Sequence, residues 1–280
     1  MHELFLTATV KQSDFDTACA VLQGLSWMTA RRTICRVLYF AGQAQPRGLP
    51  AAPPSSVLPR PAERQLWAEL GRHLMRSSYV LQAAYEVSPE TDFAKAPATT
   101  TTTTAAGGDG SGPAPAPSMD FNRLPATLRW TDLPDPLRDS PITSRKKIEI
   151  PFMHALPRVL MENKQAYINE LIQETYSFNR GDLEIVLSRY YHLPESPGRP
   201  VPHLPAWADL RPVDSAQKWA LAVRLHVAED GQPEKLAKAN EELMRNKAEF
   251  ERLFDFKVVD RRVFDTRISP PPAVPGRGPP

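Results

Sequence analysis

The sequence predicts an α+β chain, mainly an antiparallel β-barrel of two related halves with a few helices packed outside. Three observations carry this. Most periodic segments alternate apolar and polar residues as strands do, and only a few show helical spacing. Residues 3–41 and 217–259 both read strand, helix, strand. Many antiparallel strands with few helices favour a sheet that curls and closes over a flat sandwich.

Glu3 to Val10 places Leu4, Leu6, Ala8 and Val10 on one face, with Thr7 and Thr9 opposite. That is a strand with one buried face. A helix follows, with Ser13 and Asp16 as a capping box. Phe15, Ala18, Cys19, Leu22 and Leu25 form its inner stripe, and Gly24 is the expected terminator. Ile34 to Ala41 reads as a strand buried on both sides. Pro61 opens a second helix over 62–76 with Leu66, Trp67, Leu70 and Leu74 on one face, and Tyr79 to Val87 returns as a strand.

Strands dominate the second half. Thr127 to Thr131 and Lys146 to Ile150 are short ones. Tyr167 to Phe178 and Leu183 to Tyr191 flank Asn179-Arg180-Gly181-Asp182, a long hairpin with turn chemistry at its tip. Gln217 to Ala228 alternates most cleanly, with Trp219, Leu221, Val223, Leu225 and Val227 on one face. Pro233 starts the longest helix, over 233–253, striped by Leu236, Ala239, Leu243, Phe250 and Leu253. A closing strand is expected over Phe256 to Val259.

Proline makes up 30 of the 280 residues, and much of it is clustered. Residues 43–62 and 192–215 carry six prolines each, as does the tail 269–280. Residues 94–118 contain no Val, Leu, Ile, Met or aromatic residue and include the run Thr99 to Thr104. Such stretches bury too little to offset their ordering entropy. Residues 1–268 are therefore expected to form one barrel domain with Pro-rich or disordered insertions at 43–62, 94–118 and 192–215, followed by a disordered tail at 269–280.

The net charge of +2 singles out neither nucleic acid nor anionic lipid as the main partner. No stretch approaches the roughly 18 consecutive apolar residues of a membrane-spanning helix. The opening residues carry no secretory-signal pattern. Cys19 and Cys35 form no Cys-x-x-Cys pair, so neither a structural zinc site nor a disulfide framework is expected.

A phosphate-processing barrel tunnel needs inward carboxylates at alternate strand positions together with inward Lys and Arg. The nearest match, Lys146-Lys147-Ile148-Glu149-Ile150, has a single Glu, and no Glu-x-Glu-x-Lys occurs. Glu184 and Arg189 read as ordinary strand-face charges. Arg145-Lys146-Lys147 and Arg261-Arg262 read as solubilising charges on strand edges. His2, His73, His154, His192, His203 and His226 show no ligand spacing. Ser26, Ser140 and Ser177 lie in no nucleophile elbow, and Gly107-Gly108-Asp109-Gly110 does not sit between a strand and a helix. No catalytic, metal or cofactor-binding residues emerge, and no cofactor is expected.

Three blocks carry a resemblance: Glu3-Leu4-Phe5-Leu6-Thr7-Ala8; Phe15 to Met28, with Leu22-Gln23-Gly24-Leu25; and Arg36-Val37-Leu38-Tyr39-Phe40-Ala41-Gly42. They resemble the fungal Mediator complex subunit 18 family, and the likeness continues in outline through 167–191 and 219–268. The resemblance implies a non-catalytic β-barrel in the head module of a nuclear RNA polymerase II coactivator. It further implies pairing with a similar barrel, subunit 20, and tethering by a helix of subunit 8. The competing readings are a tunnel-type triphosphate hydrolase, which the missing paired carboxylates disfavour, and a barrel that carries a small ligand in its lumen.

Overall fold

The computed structural model describes residues 1–51, 53, 57–95, 116–136, 140–194, 196–228 and 232–268. The strands are β1 (His2–Val10), β2 (Arg31–Ala41), β3 (Val80–Glu86), β4 (Phe93–Ala94), β5 (Ala126–Thr131), β6 (Thr143–Met153), β7 (Ala166–Arg180), β8 (Leu183–His192), β9 (Leu204–Ala206), β10 (Arg211–Pro212) and β11 (Trp219–Val227). The helices are α1 (Phe15–Ser26), α2 (Pro61–Leu74), α3 (Leu156–Glu162) and α4 (Pro233–Phe250).

Eight strands run β8-β11-β1-β6-β5-β3-β2-β7, and the β7–β8 hairpin closes the ring. Every neighbouring pair in it is antiparallel. β1 is thus held between β11 and β6, strands from the far end and the middle of the chain. The hairpin tip pairs Arg180 with Leu183 around a two-residue turn. Its first residue, Gly181, has φ +60°, a conformation that costs glycine nothing.

The main apolar cores lie outside the barrel, between strands and helices. Leu4, Leu6, Ala8 and Val10 pack with the outward residues of β11 and β8 against Leu22 of α1 and Leu243 and Phe250 of α4. On the other side Leu38, Phe40, Leu81, Trp130 and Ile148 pack against Trp67 and Leu70 of α2 and against Leu156 and Leu160 of α3. The alternation read from the sequence is therefore real, but its apolar side points outward to the helices.

Several expectations are corrected. The Ser13–Asp16 capping box is absent: Ser13 donates to Asp14, and a single 3-10 turn over 12–14 leads into α1. α1 passes Gly24 and ends at Ser26, with Trp27 in the left-handed conformation. α4 stops at Phe250, which leaves Leu253 about half exposed. β6 is longer than expected, and α3 was not expected at all.

Phe256 to Val259 is not a strand. The Lys257 amide donates to the Thr7 carbonyl, beyond the point where β6 stops pairing with β1. Further along, the Val80 amide donates to the Thr266 carbonyl and the Ile268 amide to that of Ser78, so 257–268 runs from β1 to β3 as an irregular strap. The repeated strand-helix-strand reading fails at this last strand.

The proline-rich loops are not all outside the core. Val57 and Leu58 are buried under α2. Within 192–215, Val201, Leu204 and Leu210 are buried with Ile34, Phe93, Ile172 and Tyr191, and β9 pairs in parallel with β4. The run Thr99 to Thr104 and the tail 269–280 lie outside the described residues.

Candidate functional site

Because side chains alternate along a strand, an apolar outer face leaves the other face to the lumen. On β1 that inner set is Glu3, Phe5, Thr7 and Thr9; on β6 it is Arg145, Lys147 and Glu149. Together with β2, β3, β5, β7, β8, β11 and the strap they enclose a cavity of about 910 Å³. Among the described residues, its lining holds six Lys or Arg (Arg31, Arg129, Arg145, Lys147, Arg224, Lys257) against three Glu (Glu3, Glu149, Glu184) and His226.

Ladder register explains the pairing of these charges. Glu3 lies opposite Arg145, Glu184 opposite Arg224, and Glu149 opposite Arg129. The corresponding ion pairs span 2.7, 2.9 and 3.6 Å. Lys147 bridges two of them, 3.5 Å from Glu3 and 3.2 Å from Glu149. Arg224 also reaches Glu3 at 3.4 Å, and His226 lies 3.2 Å from Glu184. Arg145 further packs over the Phe5 and Phe264 rings, which ties the strap to the cluster.

Burial alone would raise the Glu3 carboxyl, but Lys147, Arg145 and Arg224 outweigh it and hold the pKa down at about 2. Glu184 is lowered to about 2 against the same burial by His226 and Arg224. Both are ionised at neutral pH. The lumen also has an apolar stretch, Cys35, Val37 and Ala84 with Tyr39 against them. Burial pushes the Cys35 thiol up, away from the reactive thiolate.

The structure therefore regroups the charges that the sequence suggests. Lys147, Glu149 and Glu184 are not solvated strand faces; they point into the lumen. Arg145 and Lys147 are not edge charges: Arg145 lies opposite Glu3 of β1, Lys147 lies between Thr131 of β5 and the Met1 carbonyl, and Lys146 faces outward to Glu69 at 3.0 Å. Arg189 lies outside the barrel, over Trp219 at 4.2 Å and 3.6 Å from Glu174. Arg261 donates to the Pro134 carbonyl. His73 stacks near Trp130, with ring centroids 4.7 Å apart.

Sequence reasoning missed Glu3, Arg129 and Arg224 as site residues. The available signal was that each charge sits on the face opposite its strand's apolar residues; what joins them is long-range register. Among the described residues, no group of three or more His, Cys, Asp and Glu is placed to hold a metal ion. What the arrangement does is hold the carboxylates of Glu3, Glu149 and Glu184 against Arg and Lys inside a walled channel whose lining is part polar and part apolar.

A second polar cluster lies on the outer face. Arg36 is fully buried and pairs with Glu170 at 2.7 Å, and both grip Val201: Arg36 donates to its carbonyl, and Glu170 accepts from its amide. This clasp holds the 192–215 segment on β2 and β7.

A closed eight-stranded antiparallel barrel, clothed in helices and lined by paired charges, defines the class. The sequence matches the Med18 protein family over residues 2–267, and the chain belongs to that family. It is 26% identical over 273 residues to the Mediator of RNA polymerase II transcription subunit 18 of Coccidioides immitis, covering 96% of this chain and 100% of that protein. The subunit 18 of Neosartorya fischeri is also 26% identical, over 274 residues, 95% of this chain and 99% of that one. A chain in the structure of the Schizosaccharomyces pombe Mediator head module superposes with TM-score 0.59 at 14% identity, covering 92% of this chain and 99% of that chain, and so shares the fold.

Proposed function

We propose that this protein is a non-catalytic subunit of the Mediator head module, acting in the nucleus through contacts with other Mediator subunits. The observation that carries this reading is the family match across 2–267, nearly the whole chain. Within the family reading, the partners are the paired barrel of subunit 20 and a helix of subunit 8. Exposed apolar side chains such as Trp27, Met75, Phe152 and Val263 suit a chain that is covered in an assembly. A stable pairing of this kind buries on the order of 1,600 Å² with an apolar centre.

The hydrolase reading is not favoured. Each lumen carboxylate is already engaged by Arg or Lys, in a pattern of neutralised pairs. The small-ligand reading is not favoured either, because the family match across 2–267 points to an assembly subunit.

Co-expression with the two partner subunits tests the proposal. Co-elution from about 0.1 to about 0.5 M salt is expected, because a mainly apolar contact is little screened. Failure to co-elute, together with tight sequence-selective DNA binding, overturns it. Steady release of phosphate from an RNA 5′-triphosphate, lost in Glu149→Ala, overturns the non-catalytic part.

A further inference from the structure

We propose that Ser196 is a phosphorylation site for a proline-directed serine kinase. The sequence there reads Pro194-Glu195-Ser196-Pro197-Gly198-Arg199-Pro200. Two of these neighbours carry the chemistry. A proline directly after the acceptor has no amide N–H, so it enters an apolar pocket of a kinase without leaving a donor unpaired. An arginine three residues on meets acidic groups of the kinase through a charge-assisted contact.

The fold leaves this stretch free to be used. Ser196 to Arg199 form a Pro-Gly β-turn, and Gly198 takes φ +72°, as the third position of a type II turn requires. The Arg199 amide donates to the Ser196 carbonyl across 3.5 Å, a long bond that costs little to open. Pro197, Gly198 and Arg199 are exposed. Among the described residues, the Ser196 hydroxyl has no hydrogen-bond partner and the Arg199 guanidinium no ion pair. The fixed points lie to either side: β8 ends at His192, and the clasp begins at Val201. The turn can therefore straighten into a cleft without unpairing a strand.

Three other serines precede a proline: Ser88, Ser140 and Ser269. Ser88 is tied down, with its hydroxyl donated to Glu90 and its amide to the Asp92 carboxylate. The Ser140 hydroxyl accepts the Ile142 amide, and β6 starts at Thr143. Neither has a cation three residues on; Thr91 and Thr143 stand there, and Pro272 stands there for Ser269, which lies outside the described residues.

In the transfer, Ser196 Oγ attacks the γ-phosphorus of ATP and the bond to the β-phosphate oxygen breaks. ADP leaves, and the hydroxyl proton passes to the kinase's catalytic base. The new phosphate has Arg199 in its own turn as a partner, so the turn changes from cationic to anionic. The inference does not depend on the Mediator assignment.

The test incubates the folded full chain with magnesium, ATP and a purified proline-directed kinase that prefers a basic residue three positions on, and maps the phosphate by mass spectrometry. Phosphate is expected on Ser196 and not on Ser88 or Ser140. Ser196→Ala should abolish that signal, and Arg199→Ala should lower kcat/KM about tenfold, the worth of one charge-assisted contact. Arg199→Lys should restore most of it. Melting curves establish that each variant is folded. Phosphate on Ser88 or Ser140 in place of Ser196, an unchanged rate in Arg199→Ala, or incorporation at Ser196 only after denaturation would each overturn the proposal.

Discussion

Glu3 has a single exposed per cent of side chain and three cations within 3.5 Å. Its pKa of about 2 lies below its ordinary value of 4.5, so its charge stabilises the fold above pH 4.5. That stability is lost as pH falls through the folded value. Glu3→Gln should cost about 3 kcal/mol at neutral pH, since Arg145, Lys147 and Arg224 lose a shared partner. The gap to wild type should narrow as pH falls from 4.5 toward 2, as urea unfolding at several pH values would show. A constant gap would mean that shape, not charge, is what Gln disturbs. On the outer face Arg36→Leu strands the buried Glu170, with an expected loss of about 3–5 kcal/mol. It should also open 196–203 to proteolysis before the barrel unfolds. These ion pairs were only half legible in the sequence. Alternation puts Glu3 with Thr7, and Lys147 with Glu149, on one face. Whether that face meets water or a lumen depends on ring closure, which no local pattern encodes.

Elements with a strong apolar period were legible because burial and period agree. α1 shows this: Leu22 is fully buried between β1, β11 and α4, and Leu22→Ala should cost about 2–5 kcal/mol in chemical denaturation. The end of the same helix was misread. Gly24 has open space around it and stays helical, while Trp27 takes the left-handed position at φ 55° with its side chain 93% exposed. A residue with a Cβ is strained there, so Trp27→Gly should stabilise the isolated chain by up to about 1 kcal/mol. A lower melting temperature in that variant would mean the indole packs in solution. The segment 192–215 was misread for a different reason. Six prolines argue against regular structure, but they do not prevent Val201 and Leu204 from being pinned by Arg36, Glu170 and β4. α3 carries Pro157 as its second residue and is only seven residues long, too short for a periodic signal. The segment 94–118 was drawn too long at both ends: Ala94 belongs to β4, and Ala116 is buried with its carbonyl 2.6 Å from His203.

At the scale of the molecule, pairing order sets what can come apart. Of the barrel strands before residue 96, only β2 and β3 pair with each other. β1 pairs with β11 and β6, β2 also with β7, and β3 also with β5, all from the second part of the chain. Both outer cores mix residues from the two parts as well: Leu22 lies with Leu243, and Trp67 with Leu156. We therefore propose that residues 1–268 form one cooperative unit. A specific protease site placed within 99–104 tests this. After the cut, the two fragments should co-migrate in gel filtration and unfold together in urea in one transition, because neither can close a sheet or cover its apolar strand faces alone. The midpoint should fall, and now depend on protein concentration, since the fragments must find each other to refold. Fragments that separate in native buffer and each melt cooperatively would show two domains, and the shared barrel would then be an association of independent halves.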